Sequence, residues 1–287
     1  MLLLEWLVTP AVRGTDQFPK VEMGAESTKL QASDLKEILH LMCAGTESAA
    51  PDIGCRICPE GTTTVGEQGF GLGIQLMLRG HFLGPNSDDL FVETSGCEPH
   101  ARGYSGTMFF SHVSEGWFVS RGYSSGSPGA CRAIRNREGL DGLLCWQEDT
   151  HADLMTGALE FHYEGGSNAK YDLFTSVTSN DRFQICADTG QPDTAREAKR
   201  FEEIDSDITG WKLTSAGEVS VQITATCRRY QTACSDAPFY QTAGADAVRT
   251  DVPPFRTFQV NYRFDGESFQ LDADSRDAKR EYDACIP

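Results

Sequence analysis

Residues 141–166 read DGLLCWQEDTHADLMTGALEFHYEGG. Two runs in this stretch are strand-like: Leu143 to Trp146 at the front, and Leu159, Phe161 and Tyr163 alternating with polar neighbours at the back. Apolar residues at every second position set one face of a strand against a core and leave the other outside it. The Glu164-Gly165 step after the second run is a turn signal, because glycine accepts the positive φ that other residues avoid. Between the runs, QEDTHAD places Glu148, Asp149, His151 and Asp153 within six residues. Such a cluster suits ligand binding or acid–base work. It equally suits a solvated connection between two strands, and its position favours the connection.

The same plan recurs on either side. Residues 73–83, 88–96, 107–113 and 116–122 form one set of alternating runs. A second set spans 130–134, 141–148, 158–163 and 170–177, and a third spans 210–215, 218–226, 257–264 and 267–273. Related turns close a hairpin in each set: Glu115-Gly116, Glu164-Gly165 and Asp265-Gly266. The expected fold is therefore all-β, built of repeated antiparallel hairpin units in a propeller-like, sandwich or trefoil-like arrangement. One helix is signalled, in SDLKEILHLMC, where Ser33 suits an N-cap and Leu35, Ile38, Leu39 and Met42 repeat at helical spacing. These features divide the chain into a helical, Cys-rich extension at 1–62 and a repeat-containing β domain at 63–287. A polar stretch at 188–207 reads as an inserted helix or loop.

With 287 residues, 39% of them apolar and 23% charged, the chain is globular and long enough to bury a sizeable core. A net charge of −17 repels phosphate backbones and argues against nucleic acid or anionic membrane as partners. Ten cysteines, even in number and scattered, suit up to five disulfides in an oxidising compartment. No apolar run is long enough to span a membrane. The opening MLLLEWLVTPAVR reads as the remnant of an export signal, interrupted by Glu5. None of the five asparagines begins an N-x-Ser/Thr acceptor, which fits a bacterial product exported to the periplasm or medium.

Candidate chemistry is sparse. Cys55 and Cys58 form a CxxC, but Pro59, Glu60 and Gly61 follow it where a redox motif needs a helix. Structural disulfides are the favoured use, and Cys227–Cys234 suits a local bridge. Gly122-Tyr123-Ser124-Ser125-Gly126 matches a nucleophile elbow, and Ser124, Asp153 and His162 would supply a triad in the order nucleophile, acid, base. The turn residues after Gly126 contradict the helix an elbow requires. His100 and His151 follow matching strands of the first two sets. With Glu148, Asp149 and Asp153 they make the candidate binding residues. Trp117, Tyr123, Trp146, Phe161, Tyr163 and Trp211 are available for sugar stacking or protein recognition, although strands bury most aromatics.

NREGLDGLL and PNSDDLFV resemble the calcium-loop-plus-strand of FG-GAP repeats through Asn136, Glu138, Gly139 and Leu143 in one and Asp89 and Leu90 in the other. Ile134 and Gly142 stand where that loop carries carboxylates, so the resemblance implies hairpins and not calcium. Taken together, the sequence predicts an exported, disulfide-stabilised, β-rich binding or structural module without cofactor or metal. Its ligand is unknown, with carbohydrate and protein as the open classes. The alternative is a secreted hydrolase using Ser124 or an acid–base or metal loop around His151.

Overall fold

The computed structural model describes residues 27–48, 54–56, 72–95, 105–125, 128–151, 154–164, 171–179, 200–214, 218–233 and 253–286. Helix α1 (Ala32–Cys43) comes first, followed by the short strands β1 (Glu47–Ser48) and β2 (Gly54–Cys55). Then come β3 (Leu72–Gly80), β4 (Asp89–Ser95), β5 (Ser105–Val113), β6 (Gly116–Ser125) and β7 (Pro128–Arg135). The chain continues through β8 (Asp141–His151), β9 (Leu154–His162), β10 (Tyr171–Ser179) and β11 (Arg200–Thr214). Strands β12 (Ser220–Ala233), β13 (Arg256–Phe264) and β14 (Phe269–Leu271) precede helix α2 (Arg276–Asp283).

The protein is all-β and antiparallel. Within each sheet every strand pairs with its neighbours in the chain, giving a six-stranded sheet β1–β6 and an eight-stranded sheet β7–β14. The strands are thus gathered into two meanders, not into four-stranded blades around a channel. Alternation explains each strand: in β13, Phe258, Val260, Tyr262 and Phe264 are buried, and the residues between them are more exposed.

The eight-stranded sheet curls. The amide of Arg137, in the β7–β8 turn, donates to Gly266 O in the β13–β14 turn at 3.1 Å. Arg137 Nη2 also donates to Asp265 O. Tyr163 Oη reaches Glu267 O at 2.9 Å. Opposite edges of the sheet therefore meet at this end, as they must when eight strands approach closure. Inside lies one core shared by all eight strands, with Phe161 edge-on to Phe264 and Phe269 at 5.6 and 5.2 Å. Helix α2 inserts Tyr282, fully buried against Phe174 and Phe258, and Tyr282 Oη donates to Thr175 O at 2.9 Å.

The six-stranded sheet has a core on each face. Ile38 and Met42 of α1 pack with Met77, Val92, Phe110 and Trp117 on one face. On the other, Leu76, Leu78, Phe82, Phe91 and Phe109 meet Cys131, Leu143 and Cys145 from the outside of the curled sheet. Polar groups fix this join. Asp141, 4% exposed, accepts the His81 N–H at 2.8 Å and the Arg135 fork at 2.9 and 2.8 Å. Its own N–H donates to His81 O. Within the six-stranded sheet, Asp89, fully buried, accepts from Leu83 N and Ser111 Oγ at 2.8 and 2.7 Å, and from Ser87 Oγ.

Disulfides join Cys43–Cys55, Cys131–Cys145 and Cys227–Cys285. The first ties α1 to the sheet edge, the second crosses directly opposed residues of β7 and β8, and the third anchors the α2 segment to β12. Cys227 thus does not pair with Cys234, because its side chain lies on the core face beneath α2. Cys55 is bonded to Cys43, so the CxxC is not a redox pair. Cys58, Cys97, Cys186 and Cys234 lie outside the described residues.

Two local expectations change. Helix α1 begins at Ala32, after Gln31, so Ser33 sits in the first turn and its hydroxyl bonds Asp34 rather than capping. Arg200–Asp207, read as insertion, are the first half of β11 and pair with β12 from Ala233 to Thr226. Residues 188–199 lie outside the described part. The Asn136–Leu140 segment is a hairpin turn in which Asn136 Oδ1 accepts the N–H groups of Glu138 and Leu140, both at 2.9 Å.

Candidate functional site

The structure places the described residues singled out from the sequence on strands β6, β8 and β9. Gln147 to His151 belong to β8 itself, not to a connection: Glu148, Asp149 and His151 stand opposite Gly157, Thr156 and Leu154 of β9. Strand pairing continues to the hairpin tip because residues 143–151 pair one for one with 154–162. Only the backbone of these three residues is described. Asp153 and His100 lie outside the described residues. Ser124 is in β6, paired with Thr107, and the next element is strand β7. It occupies a strand ladder, where an elbow would need a strand-to-helix turn.

His162 is the one triad candidate whose side-chain geometry is described. It ends β9, opposite Leu143. Its Nε2 lies 3.1 Å from Glu164 Oε1, and the two side chains are 19% and 16% exposed. Arg121, reaching across from β6, pairs with the same carboxylate and donates from Nη2 to Glu164 O at 3.1 Å. The guanidinium also lies over the Phe109 ring, 5.9 Å from its centroid. Burial works to raise the Glu164 carboxyl. The hydrogen bond and charge of His162 and the charge of Arg121 outweigh it and hold the carboxyl below its ordinary value.

The other ring nitrogen of His162, Nδ1, is buried without a hydrogen-bond partner. Glu160, two residues before His162 on the same face of β9, is 6% exposed. The arrangement can orient an imidazole and join the two sheets. Ser124 is three residues beyond Arg121 along β6, roughly 10 Å of extended chain. Sequence reasoning missed Arg121 and Glu164, although Glu160, His162 and Glu164 stand two apart, which places them on one face of an extended chain.

A second cluster braces the other face of the six-stranded sheet. Arg79 forks onto Asp88 at 2.6 and 2.5 Å, and His112 Nδ1 lies 3.6 Å from the same carboxylate. Trp117 lies beside the His112 ring and beneath Arg79. Of the aromatics considered for recognition, Trp117, Trp146, Phe161 and Trp211 are core residues. Among the described residues the exposed large apolar side chains are instead Val113, Phe118, Val119 and Phe255. Among the described residues no group of three His, Cys, Asp or Glu side chains is placed to hold a metal ion, and no helix is long and apolar enough to cross a membrane.

The fold and these clusters define a disulfide-stabilised, antiparallel β protein of two joined meanders. No family model, curated protein or solved structure matches the chain.

Proposed function

We propose that the protein is an exported binding module, a rigid β scaffold whose hairpins and curled sheet present a ligand surface. The observation that carries this reading is that the three disulfides among the described residues join buried or half-buried cysteines of core-forming elements. Such bonds persist in oxidising compartments and hold a scaffold's shape. The candidate binding residues remain His100 and the β8–β9 tip with Glu148, Asp149, His151 and Asp153, and carbohydrate or protein is the ligand class.

A hydrolase is the second reading, favoured by the His162–Glu164 pair, since a carboxylate that orients an imidazole is one part of a nucleophilic triad. An ester-substrate assay on the purified full chain separates the two. The binding-module reading expects no turnover above a heat-denatured control. Turnover abolished by both Ser124→Ala and His162→Ala would overturn it.

A further inference from the structure

Arg132 stands in the middle of β7 between Ala130 and Ile134, on the row of side chains that faces the curled sheet's core. Its cross-strand neighbour is Leu144, also a core residue. The guanidinium reaches across the inside of the sheet to Trp211 of β11, with Cζ 6.0 Å from the ring centroid. Among the described residues it makes one hydrogen bond, Nη1 to Cys131 O at 3.1 Å, and no ion pair. A guanidinium carries five N–H donors, so most of its capacity is unspent. Burial pulls its pKa below the ordinary arginine value, as expected of a cation without a counter-charge.

Trp211 supplies the second observation. It is 8% exposed, and its Nε1 is buried with no hydrogen-bond partner. An indole N–H left so carries an uncompensated desolvation penalty. A chain with 42 acidic residues has set none of the described ones against this cation. An inward charge on an edge strand also deters strand addition, and the ring of Trp211 attracts the guanidinium. Neither role uses the buried indole N–H.

We infer that Arg132 and Trp211 form a binding site, on the inner face of the eight-stranded sheet, for the carboxylate of a small apolar monoacid. The guanidinium fork matches a carboxylate's two oxygens, and the indole N–H adds a further donor. Aromatic and aliphatic neighbours (Trp211, Leu144, Ile134) suit an apolar body. The net charge of −17 disfavours a dianion such as phosphate relative to a monoanion. Eight-stranded barrels enclose either packed side chains or one small ligand. Here the edges meet at the Arg137–Gly266 turns, while β14 is only three residues long and does not pair along β7.

The site rests on the binding-module reading but fails separately from it, because ester turnover tests the one and a binding isotherm the other. Isothermal titration of the full chain with benzoate, at constant ionic strength, should give saturable one-site binding, and phosphate should give none. Arg132→Lys loses the fork, and Trp211→Phe keeps a ring under the guanidinium while removing the N–H. Each should weaken benzoate by about tenfold, with an unchanged far-ultraviolet circular dichroism spectrum. If Arg132→Lys does not fold, Trp211→Phe decides alone. A non-saturating benzoate titration, equal binding of phosphate, or full affinity retained in Trp211→Phe would overturn the inference.

Discussion

A side chain at Gly80 would have nowhere to go. Its Cβ would sit 2.8 Å from Asp141 Oδ2 and 2.9 Å from Phe82 Cζ, at the place where the two sheets join. Gly80→Ala should therefore destabilise the protein by about 1–3 kcal/mol, read as a lower denaturation midpoint. An unchanged midpoint would show that the join has slack. Asp141→Asn should be at least as damaging, because it weakens the acceptor for His81 N–H and removes the counter-charge of Arg135. Losing charge-assisted bonds at a buried carboxylate costs about 1.5–3 kcal/mol. The sequence marks Asp88 and Asp141 as strand starts, since each opens an alternating run. The roles of Asp89 and Asp141 as buried acceptors are not legible there. The donor His81 lies 60 residues from Asp141, and only the tertiary arrangement brings them together.

Helix α2 shows what decides an element when its own sequence does not. RDAKREYD offers one large apolar residue, Tyr282, so no apolar stripe announces a helix. The segment is held by Tyr282 in the core and by Cys285 bonded to Cys227, 58 residues away. In the chain-entropy account a loop of that size is worth about 4 kcal/mol. Replacing both cysteines by serine should lower stability by roughly that amount and raise amide exchange in α2 before it rises in β12 and β13. Uniform exchange across these elements would show that the bond does not localise α2. Strand β11 escapes a sequence reading for a related reason. Its first half is polar, and it is a strand because β12 runs alongside it for its whole length. The hairpin runs of β3–β10 and β12–β14 are legible because their alternation is an intrinsic property of the strand.

At the scale of the molecule, the two sheets are held by a shared apolar core and by carboxylates at their join. Asp141 and Glu164 are both pushed upward by burial, but the ion pairs and hydrogen bonds around them leave each below its ordinary value. A depressed carboxylate contributes stability that is present above its unfolded pKa, about 4, and is lost as pH falls through the folded value. The melting temperature should accordingly hold near neutrality and fall on acidification below about pH 4, and Glu164→Gln should flatten that fall. A melt as steep in Glu164→Gln as in the parent would remove Glu164 from the account. The candidate site is less legible in the sequence than the fold. His162 could be picked out, but its partners Arg121 and Glu164 come from separate elements. Alternation assigns faces within a strand and says nothing about which sheets face one another.

Peptide mapping of the full chain, alkylated without reduction, reads out whether disulfides lock the two-sheet scaffold. The expected result is linked peptides for Cys43–Cys55, Cys131–Cys145 and Cys227–Cys285, with no alkylated thiol among these six residues. Alkylated cysteines at these positions, or Cys227 linked to Cys234, would contradict it.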